Sequence, residues 1–547
     1  MSLLSMYDRA ADTVDLKAEV ALSRDEIISR LAQKSFDVLV VGGGIHGALF
    51  ARICALHGLR TTLLEKLDYS FASSSRSSKM AHGGLRYLEN LDFAQVFEGL
   101  KSRDNLFKIA GHLASPISFA IPIKSDQWWL NLKLSIGLFF YNILSGKFRL
   151  PEKLPPAIFQ ELSQSLPKKV LAYSDGVMND CRLTLENIRA AREEGALCLN
   201  YAEVGSHRTL EDGVLEVSWI DTLTGKQHLL KTGAIVNCSG ASAQSFARIS
   251  EKHGSPGLRF SRGTHLLFDC PWKGPALLLP VGTTNLYYFV WPFLGKTLVG
   301  TTEKEIETPE EDPQPLSSEV SELLKRLTVD LPKSELTTDK LYYAFTGIRA
   351  LPARSKAART SDLSRKHTWI YFNGVLSLLG GKFTTAAWTV EQGFKTLCKL
   401  AHLNYSPSVL RDRRLPGFAK NGAIIAEFRR VAETQQVPGA TVERIVGQLG
   451  TQVAYFDRAD KFRILGKGEL LAGEVTFAIE VEQAETLDDL MRRRLQIEFL
   501  PGHGVNLLDE VLEILGQNKP TLNLNLEKQN YLNRIAAVKK VLQEAQA

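Results

Sequence analysis

Residues 36–65 read FDVLVVGGGIHGALFARICALHGLRTTLLE, and this stretch decides the fold. It opens with the apolar run Val38–Val41, which is typical of a strand buried on both faces of a parallel sheet. A helical pattern of apolar residues and a second apolar run then lead to Glu65. Three spaced glycines separate the first run from the helix: Gly42, Gly44 and Gly47. Strand, glycine turn, helix, strand and acid in this order predict the βαβ unit that binds a dinucleotide.

Each residue of the motif has its own physical role. Gly42 permits a tight turn, and Gly44 lets the backbone approach a pyrophosphate at the helix N-terminus. Gly47 allows close packing of helix on strand, while Glu65 can accept hydrogen bonds from the ribose hydroxyls and repel the extra phosphate of NADP. A glycine turn with a purely structural role is the alternative, and the motif does not by itself separate FAD from NAD.

Length and composition limit the class of protein. A chain of 547 residues predicts two or three domains with a large core. The net charge of +6 suits an anionic substrate or an anionic membrane surface. It lacks the concentrated basic charge of a nucleic-acid-binding protein, so no nucleic-acid partner is expected.

The six cysteines are scattered and form no CxxC pair, which predicts free, mostly buried thiols in a reducing compartment and no metal site. Four acidic residues interrupt the first twenty positions, so neither a signal peptide nor a mitochondrial transit peptide is expected. The capping box Ser23–Glu26 predicts a short helix over Ile27–Gln33.

A second informative stretch, residues 73–89, reads SSSRSSKMAHGGLRYLE. Its hydroxyls, small residues and glycines would let the backbone close over a flat cofactor. Arg86 and Tyr87 place a cation and a phenol side by side, a plausible grip for an anion. A serine-rich surface loop is the alternative.

Together with the glycine motif, this stretch resembles the FAD-dependent glycerol-3-phosphate dehydrogenases, flavoproteins of the glycine/D-amino-acid oxidase group. Six further segments resemble that family in the family's own order: YSD at 173–175 with DCRL at 180–183, VNCSG at 236–240, RGTH at 262–265, GTTE at 300–303, TGIR at 346–349 and LGGKFTT at 379–385. Departures are modest: His46 stands where a smaller polar residue is common, Glu303 replaces an aspartate, Ala350 a proline, and Ala241–Ser242 stands where GPW is usual.

The resemblance implies an α/β fold in which a Rossmann-type FAD-binding domain is interleaved with an antiparallel-sheet substrate domain, followed by a C-terminal all-α domain. We expect an N-terminal extension over residues 1–36, the interleaved FAD-binding and substrate (cap) domains over 37–400, and the helical domain over 401–547. Predicted strands include Leu215–Ile220, Gln227–Leu230, Leu286–Trp291 and Thr297–Gly300, and a helix is predicted over Ser318–Leu327. Towards the C-terminus, Leu487, Leu490, Met491 and Leu495 should share one buried helix face.

The resemblance also assigns residues to FAD and to the substrate. The expected FAD contacts are Gly42, Gly43, Gly44, Gly47, Glu65, Ser74, Ser75, Ser77, Ser78, Lys79, His82, Gly83, Gly84, Gly240, Gly381 and Lys382. The expected substrate contacts are Arg86, Tyr87, Arg349, Arg365 and Lys382, and the expected catalytic residues are His265, Arg349 and Lys382.

The implied reaction is oxidation of sn-glycerol 3-phosphate to dihydroxyacetone phosphate, with hydride transfer from C2 to flavin N5. His265 is the candidate base, because histidine is tunable near neutral pH. A structural histidine is the alternative, with water or a lysine then taking the proton. Alternatives for the whole chain are an oxygen-using glycerol-3-phosphate oxidase, a related amine or amino-acid oxidase, and a non-catalytic or tRNA-modifying flavoprotein.

The electron acceptor is expected to be a quinone, at the cytoplasmic face of a bacterial inner membrane. The apolar segment Gln127–Leu144 is too short and interrupted for a confident membrane span. It fits an interfacial helix or a buried helix beside the active site. A peripheral, otherwise cytoplasmic enzyme is therefore expected, with a homodimer as a further expectation.

Two charged segments are predicted to lie in solvent. Residues 307–315, ETPEEDPQP, are typical of an exposed connection. The run Arg492–Arg494 is typical of a solvated helix face, with membrane or partner contact as the alternative.

Overall fold

The computed structural model describes residues 22–84, 92–123, 128–145, 152–153, 169–247, 257–281, 286–353, 367–401, 409–418 and 421–546. The strands are β1 Ser35–Val41, β2 Thr61–Leu64, β3 Met80–Ala81, β4 Ala114–Ile123, β5 Glu152–Lys153, β6 Lys169–Met178, β7 Leu197–Leu199, β8 Ala202–Thr209, β9 Leu215–Asp221, β10 Lys226–Asn237, β11 Gly257–Phe268, β12 Ala276–Pro280, β13 Tyr287–Phe293, β14 Lys296–Gly300, β15 Lys304–Ile306, β16 Leu341–Ala353, β17 Thr368–Phe372, β18 Val375–Leu379, β19 Ile464–Leu465 and β20 Leu470–Leu471. The α-helices are α1 Arg24–Gln33, α2 Ile45–Leu56, α3 Phe93–Ile109, α4 Trp128–Leu144, α5 Asp180–Glu193, α6 Ala243–Phe246, α7 Ser317–Asp330, α8 Ala386–Leu400, α9 Val409–Asp412, α10 Gly422–Thr434, α11 Gly439–Leu449, α12 Ala472–Glu480, α13 Leu508–Asn518 and α14 Leu524–Gln546.

The first sheet is built around β1, in the order β17-β18-β10-β1-β2-β7. Strands β18, β10, β1, β2 and β7 run parallel to one another, and β17 is antiparallel to β18. Strands β8 and β9 extend β10 as an antiparallel meander. The run Val38–Val41 is buried, as its unbroken apolar character predicts. Because β1, α2 and β2 follow one another, the predicted βαβ unit is confirmed.

The second sheet is mainly antiparallel, in the order β15-β11-β14-β13-β12-β4-β6-β3, with β16 also paired to β11. The chain enters this sheet at β3–β6, returns to the first at β7–β10, comes back at β11–β16 and ends at β17–β18. This alternation makes the two domains interleaved and confirms the expected fold class. Strands β4, β6 and β16 were not predicted from the sequence.

The short N-terminal helix begins with the predicted capping box. The Ser23 side chain accepts a hydrogen bond from the backbone N–H of Glu26, and the Glu26 carboxylate accepts one from the N–H of Ser23 at 2.7 Å. Two backbone donors at the helix start are thereby satisfied. The helix starts at Arg24, three residues earlier than predicted, because the cap itself defines its first turn.

The C-terminal region is helical apart from the small β19–β20 hairpin. Its core contains the predicted apolar face, since Leu487, Leu490, Met491 and Leu495 are all buried. A π-helical turn covers Asp489–Arg494. This turn carries three consecutive arginines.

The prediction that these arginines lie in solvent is wrong. Arg493 and Arg494 are each 2% exposed, and both donate hydrogen bonds to the fully buried carboxylate of Asp68, in the loop after β2. Arg493 also pairs with Asp489 at 2.6 Å. A run of charged residues indicates a solvated helix face only when the fold offers no buried group of opposite charge. Here the partner, Asp68, lies in another domain.

The acidic segment 307–315 is also less exposed than predicted. Its residues Asp312 and Glu310 pair with the buried Arg76 and Arg262, respectively. Pro313 is buried. The segment therefore packs across the interface between the sheets, although Glu307 and Glu311 remain exposed.

Replacing Arg494 with methionine should destabilise the protein by about 3–5 kcal/mol, because it leaves the buried Asp68 carboxylate short of a partner. The matched control is Arg429→Met, which breaks the exposed pair with Glu443 and should cost less than about 1 kcal/mol. Urea unfolding followed by tryptophan fluorescence measures both changes. Equal, small shifts in the two variants would mean that the buried cluster contributes no more than a surface ion pair.

Candidate active site

A cavity of about 1330 Å³ is lined by residues from both sheets. It exceeds the roughly 300–1,000 Å³ of typical small-molecule pockets, so it has room for a large cofactor and a further ligand. One end lies at the glycine turn after β1 and the other against β11, β13 and β16.

The glycine turn has no space for side chains. A Cβ on Gly42 would lie 2.8 Å from the carbonyl oxygen of Cys238, and one on Gly47 would lie 1.8 Å from that of Gly42. Gly42 also has φ +104°, a conformation that favours glycine. The motif thus brings β1, α2 and the end of β10 together, and Gly42 and Gly44 form the cavity wall.

Glu65 lies on the cavity wall at the end of β2, as predicted. Its carboxylate accepts hydrogen bonds from the backbone N–H groups of Gly43 at 2.6 Å and of Leu67 at 2.9 Å. Burial raises the pKa of Glu65, and the Gly43 N–H opposes that shift by stabilising the ionised form. Gly43 itself is absent from the wall; its role in the described geometry is to hold Glu65.

The serine-rich loop divides into residues that face the cavity and residues that brace the loop. Ser74, Ser77 and Ser78 are on the wall, and the Ser74 hydroxyl accepts a hydrogen bond from Ile45 N–H at 2.9 Å. Lys79 lies off the wall, 1% exposed, where its ammonium donates to Asp180 at 2.7 Å. Ser75 also lies off the wall. Asp180 accepts two further hydrogen bonds from Ser77, so it fixes this loop.

The turn at His82–Gly84 is fixed by another buried carboxylate. Asp175 accepts hydrogen bonds from Gly83 N–H at 3.0 Å, Tyr141 hydroxyl at 2.9 Å and Arg103 at 3.1 Å. Burial raises the pKa of Asp175 to about 6, against the lowering effect of Arg103. His82 and Gly84 lie on the wall, whereas Gly83 packs against Tyr141 and α3.

His265 lies on the cavity wall in β11, paired across the sheet with Gly300 and Phe345. Its ring stacks on Phe345 with centroids 4.9 Å apart, and Nε2 lies 3.0 Å from the Ser78 hydroxyl. Burial, followed by the charges of Arg349 and Lys79, lowers the pKa of His265 well below its usual value. The imidazole is therefore neutral at pH 7 and able to accept a proton.

Two predicted cations also line the cavity. Arg349 in β16 donates from Nη2 to the Thr301 hydroxyl at 3.2 Å, and a Cβ on Gly263 would lie 2.8 Å from the same Nη2. Lys382, after the Gly380–Gly381 turn, donates to the Gln95 side chain at 2.5 Å. Both side chains line the cavity, as do Gly240 and Gly381.

Arg86, Tyr87 and Arg365 lie outside the described residues, so their assignments stay predictions. Sequence reasoning missed several other wall residues. The wall also includes Gln95, Asp175, Glu203 and Phe289. Alternation along β13 could have indicated Phe289. Asp175 lies in the YSD segment that resembles the family, but only the fold shows its hydrogen bonds to Tyr141 and Arg103. Gln95 carries no local signal, because its partner Lys382 lies 287 residues away.

These features define a dinucleotide-binding oxidoreductase. Comparison with known proteins identifies its family. A family model described as FAD dependent oxidoreductase (DAO) matches residues 37–387. The chain belongs to this family of FAD-dependent oxidoreductases. A second model, described as the C-terminal domain of alpha-glycerophosphate oxidase, matches residues 411–520.

Similar proteins include the glycerol-3-phosphate dehydrogenase of Synechocystis sp., 28% identical over 88% of this chain and 92% of that protein. Glycerol-3-phosphate dehydrogenase 2 of Mycobacterium tuberculosis is 28% identical over 94% of this chain and 90% of that protein. The crystal structure of the Bacillus halodurans glycerol-3-phosphate dehydrogenase with FAD aligns with a TM-score of 0.74 at 22% identity, covering 95% of this chain and 97% of that one. The Mycoplasma pneumoniae L-alpha-glycerophosphate oxidase aligns with a TM-score of 0.53 at 18% identity over 70% of this chain and 99% of that one.

The residues present fit FAD, and the expected cofactor is confirmed by the family. The side-chain-free turn at Gly42–Gly44 leaves room for a pyrophosphate beside the start of α2. The Glu65 carboxylate, oriented by two backbone donors, is placed for the adenosine ribose at that end. The flavin ring would then extend towards β11 and β16.

Replacing His265 with alanine should slow flavin reduction about 100-fold while leaving substrate affinity within a few-fold, because general-base catalysis contributes about 10²–10⁴ in rate. Stopped-flow measurement of flavin bleaching against substrate concentration separates the two quantities. The control is His207→Ala on β8, away from the cavity wall. A normal limiting rate in His265→Ala would remove this residue from the role of base.

Proposed function

We propose that this chain oxidises sn-glycerol 3-phosphate to dihydroxyacetone phosphate and passes the electrons to a quinone at a membrane surface. Bound FAD supplies the acceptor that takes the hydride from C2 of the substrate. The observation that carries the proposal is that Arg349, Lys382 and His265 line one cavity, with Arg349 close enough for its charge to lower the pKa of His265. The names of the similar dehydrogenases support the same substrate.

The cations are suited to a phosphate ester. The guanidinium fork of Arg349 matches two phosphate oxygens, while the Lys382 ammonium supplies a point charge. Thr301 and Gln95 hold these two cations in place from separate elements. An amino-acid oxidase needs one cation for a carboxylate, so the paired cations favour the phosphate ester.

His265 is proposed to take the hydroxyl proton. Its lowered pKa keeps it unprotonated, and the stack on Phe345 fixes the plane of the ring. Arg349 also favours loss of the proton, because a nearby positive charge stabilises the developing alkoxide. The Ser78 hydroxyl orients the imidazole through Nε2.

The membrane assignment is supported by an exposed apolar surface on α3 and α4. This apolar ridge consists of Phe93, Phe97, Trp129, Leu132, Ile136 and Phe140, each at least 38% exposed. Phe93 and Phe140 contact each other across the two helices, with ring centroids 5.7 Å apart. A contiguous exposed patch of this kind is typical of a membrane or protein contact.

An adjoining face of α4 contributes Lys133, Leu134 and Gly137 to the cavity wall. The apolar ridge therefore lies beside the cavity on the same helix, a short route for an apolar acceptor. No helix in the described part of the chain is long and apolar enough to cross a bilayer. We infer peripheral attachment, at the cytoplasmic face of an inner membrane; a homodimer stays a prediction.

The purified, yellow holoenzyme should bleach when glycerol 3-phosphate is added without oxygen. A short-chain quinone should then restore the colour much faster than air-saturated buffer does. Faster recovery with oxygen would make the protein an oxidase. Persistent colour with glycerol 3-phosphate, but bleaching with an amino acid, would overturn the substrate assignment.

The double variant Leu132→Gln/Ile136→Gln should lose about 100-fold in affinity for phosphatidylglycerol vesicles, because burying two such side chains is worth about 3 kcal/mol or more. Vesicle co-sedimentation measures the binding. Val329→Gln, at a position 74% exposed on α7, is the control and should bind vesicles normally. Glycerol 3-phosphate oxidation with a water-soluble acceptor should be unchanged in the double variant, and unchanged vesicle binding would remove the ridge from the proposal.

A further inference from the structure

The second residue of α2, His46, is a polar side chain on the cavity wall that the reaction proposed above does not use. It lies inside the glycine motif, between Gly44 and Gly47. Its Nε2 atom is buried and has no hydrogen-bond partner among the described residues. Since a buried polar atom without a partner is costly, a ligand atom is the natural candidate to satisfy it.

The position of the imidazole is fixed by a close approach to Gly381. A Cβ on Gly381 would lie 2.7 Å from both Cε1 and Nε2 of His46. Gly381 also has φ +115°, so a side chain is disfavoured there both by space and by backbone conformation. The contact places Nε2 beside the residue that precedes Lys382.

The imidazole is uncharged. Burial, followed by the charge of His367, lowers the pKa of His46 to about 3. A neutral imidazole offers one N–H donor and one acceptor. The backbone N–H groups at the start of α2 already face the pyrophosphate position, whereas the His46 ring lies against Gly381, in the turn after β18. This position suits a hydrogen bond to the polar edge of the flavin ring.

We propose that His46 is a flavin-binding residue whose Nε2–H donates a hydrogen bond to an acceptor atom of the isoalloxazine ring. Reduction adds electron density to the ring, so a donor at this position stabilises the reduced flavin more than the oxidised one. His46 thereby raises the reduction potential of the cofactor and fixes the ring against Gly381. The proposal depends on FAD but not on the identity of the substrate or of the final acceptor.

The test uses the purified holoenzyme, with reduction followed by absorbance against a reference dye. His46→Ala should change the ratio of reduced to oxidised flavin at a fixed dye potential about tenfold towards the oxidised form, which corresponds to about 30 mV for this two-electron couple. Its visible flavin spectrum should also shift. His46→Asn, which keeps a smaller neutral donor, should give a smaller change of about threefold.

The matched control is His228→Ala. His228 also has a buried Nε2 without a partner among the described residues, but it stacks on Trp219 at 4.4 Å, away from the cavity wall. This variant should leave the potential and the spectrum unchanged. If His46→Ala does not retain FAD, His46→Asn and its measured potential decide the question.

A reduction potential and spectrum equal to those of the wild type, in whichever His46 variant retains FAD, would overturn the proposal. This includes the case in which FAD binds more weakly but its ring is unperturbed, which would place the contact at the pyrophosphate. A tenfold shift in His228→Ala would also overturn it, since the effect would then not require contact with the cavity.

Discussion

The buried carboxylate of Asp68 ties the C-terminal helical region to the cofactor-binding sheet. It accepts hydrogen bonds from Arg493 at 2.5 Å, from Arg494 at 2.6 and 2.8 Å, and from Asn200 at 3.0 Å. Although burial opposes ionisation, the charges of Arg494 and Arg493 lower the pKa of Asp68. Burying these charges costs free energy when the protein folds, and removing one partner of the cluster costs far more. The cluster therefore fixes one arrangement of the two regions. Because Asp68 follows Glu65 by three residues, the helical region restrains the loop that begins at this acid of the cavity wall.

The opposite end of the cavity is organised by close backbone approaches. Gly263 and Gly347 leave room for Arg349 and for the backbone of Arg76, respectively, each within 3 Å of where a Cβ would stand. The second sheet can therefore bring strands β11 and β16 against the serine-rich loop without intervening side chains. Asp180 holds that loop from the side of the first sheet, through Ser77 and Lys79. The reactive end is thus built by both sheets, which is why the interleaved chain path matters to function.

A feature could be predicted from the sequence where the residues that determine it lie close together along the chain. The βαβ unit and the position of Glu65 on the cavity wall were predictable, because strand, turn and helix are encoded within residues 36–65. The burial of Arg493 was not, since its partner Asp68 lies 425 residues away and local charge patterning assumes water as the partner. The pairing of Lys79 was unpredictable for the same reason: Lys79 was expected to contact FAD, and only the fold reveals Asp180 beside it. Family resemblance supplied His265, Arg349 and Lys382, whereas Gln95 and Asp175 needed the packing of α3 and α4.

The electrostatics of the reactive end separate two kinds of basic side chain. Two histidines on the cavity wall, His46 and His265, are kept neutral by burial. For His265 the neighbouring Arg349 adds to the effect, because a second positive charge nearby would be repelled. The positive charge offered to an anionic substrate is then carried by Arg349 and Lys382. A site built this way offers its fixed cations to the phosphate ester, while its neutral imidazoles can donate and accept hydrogen bonds.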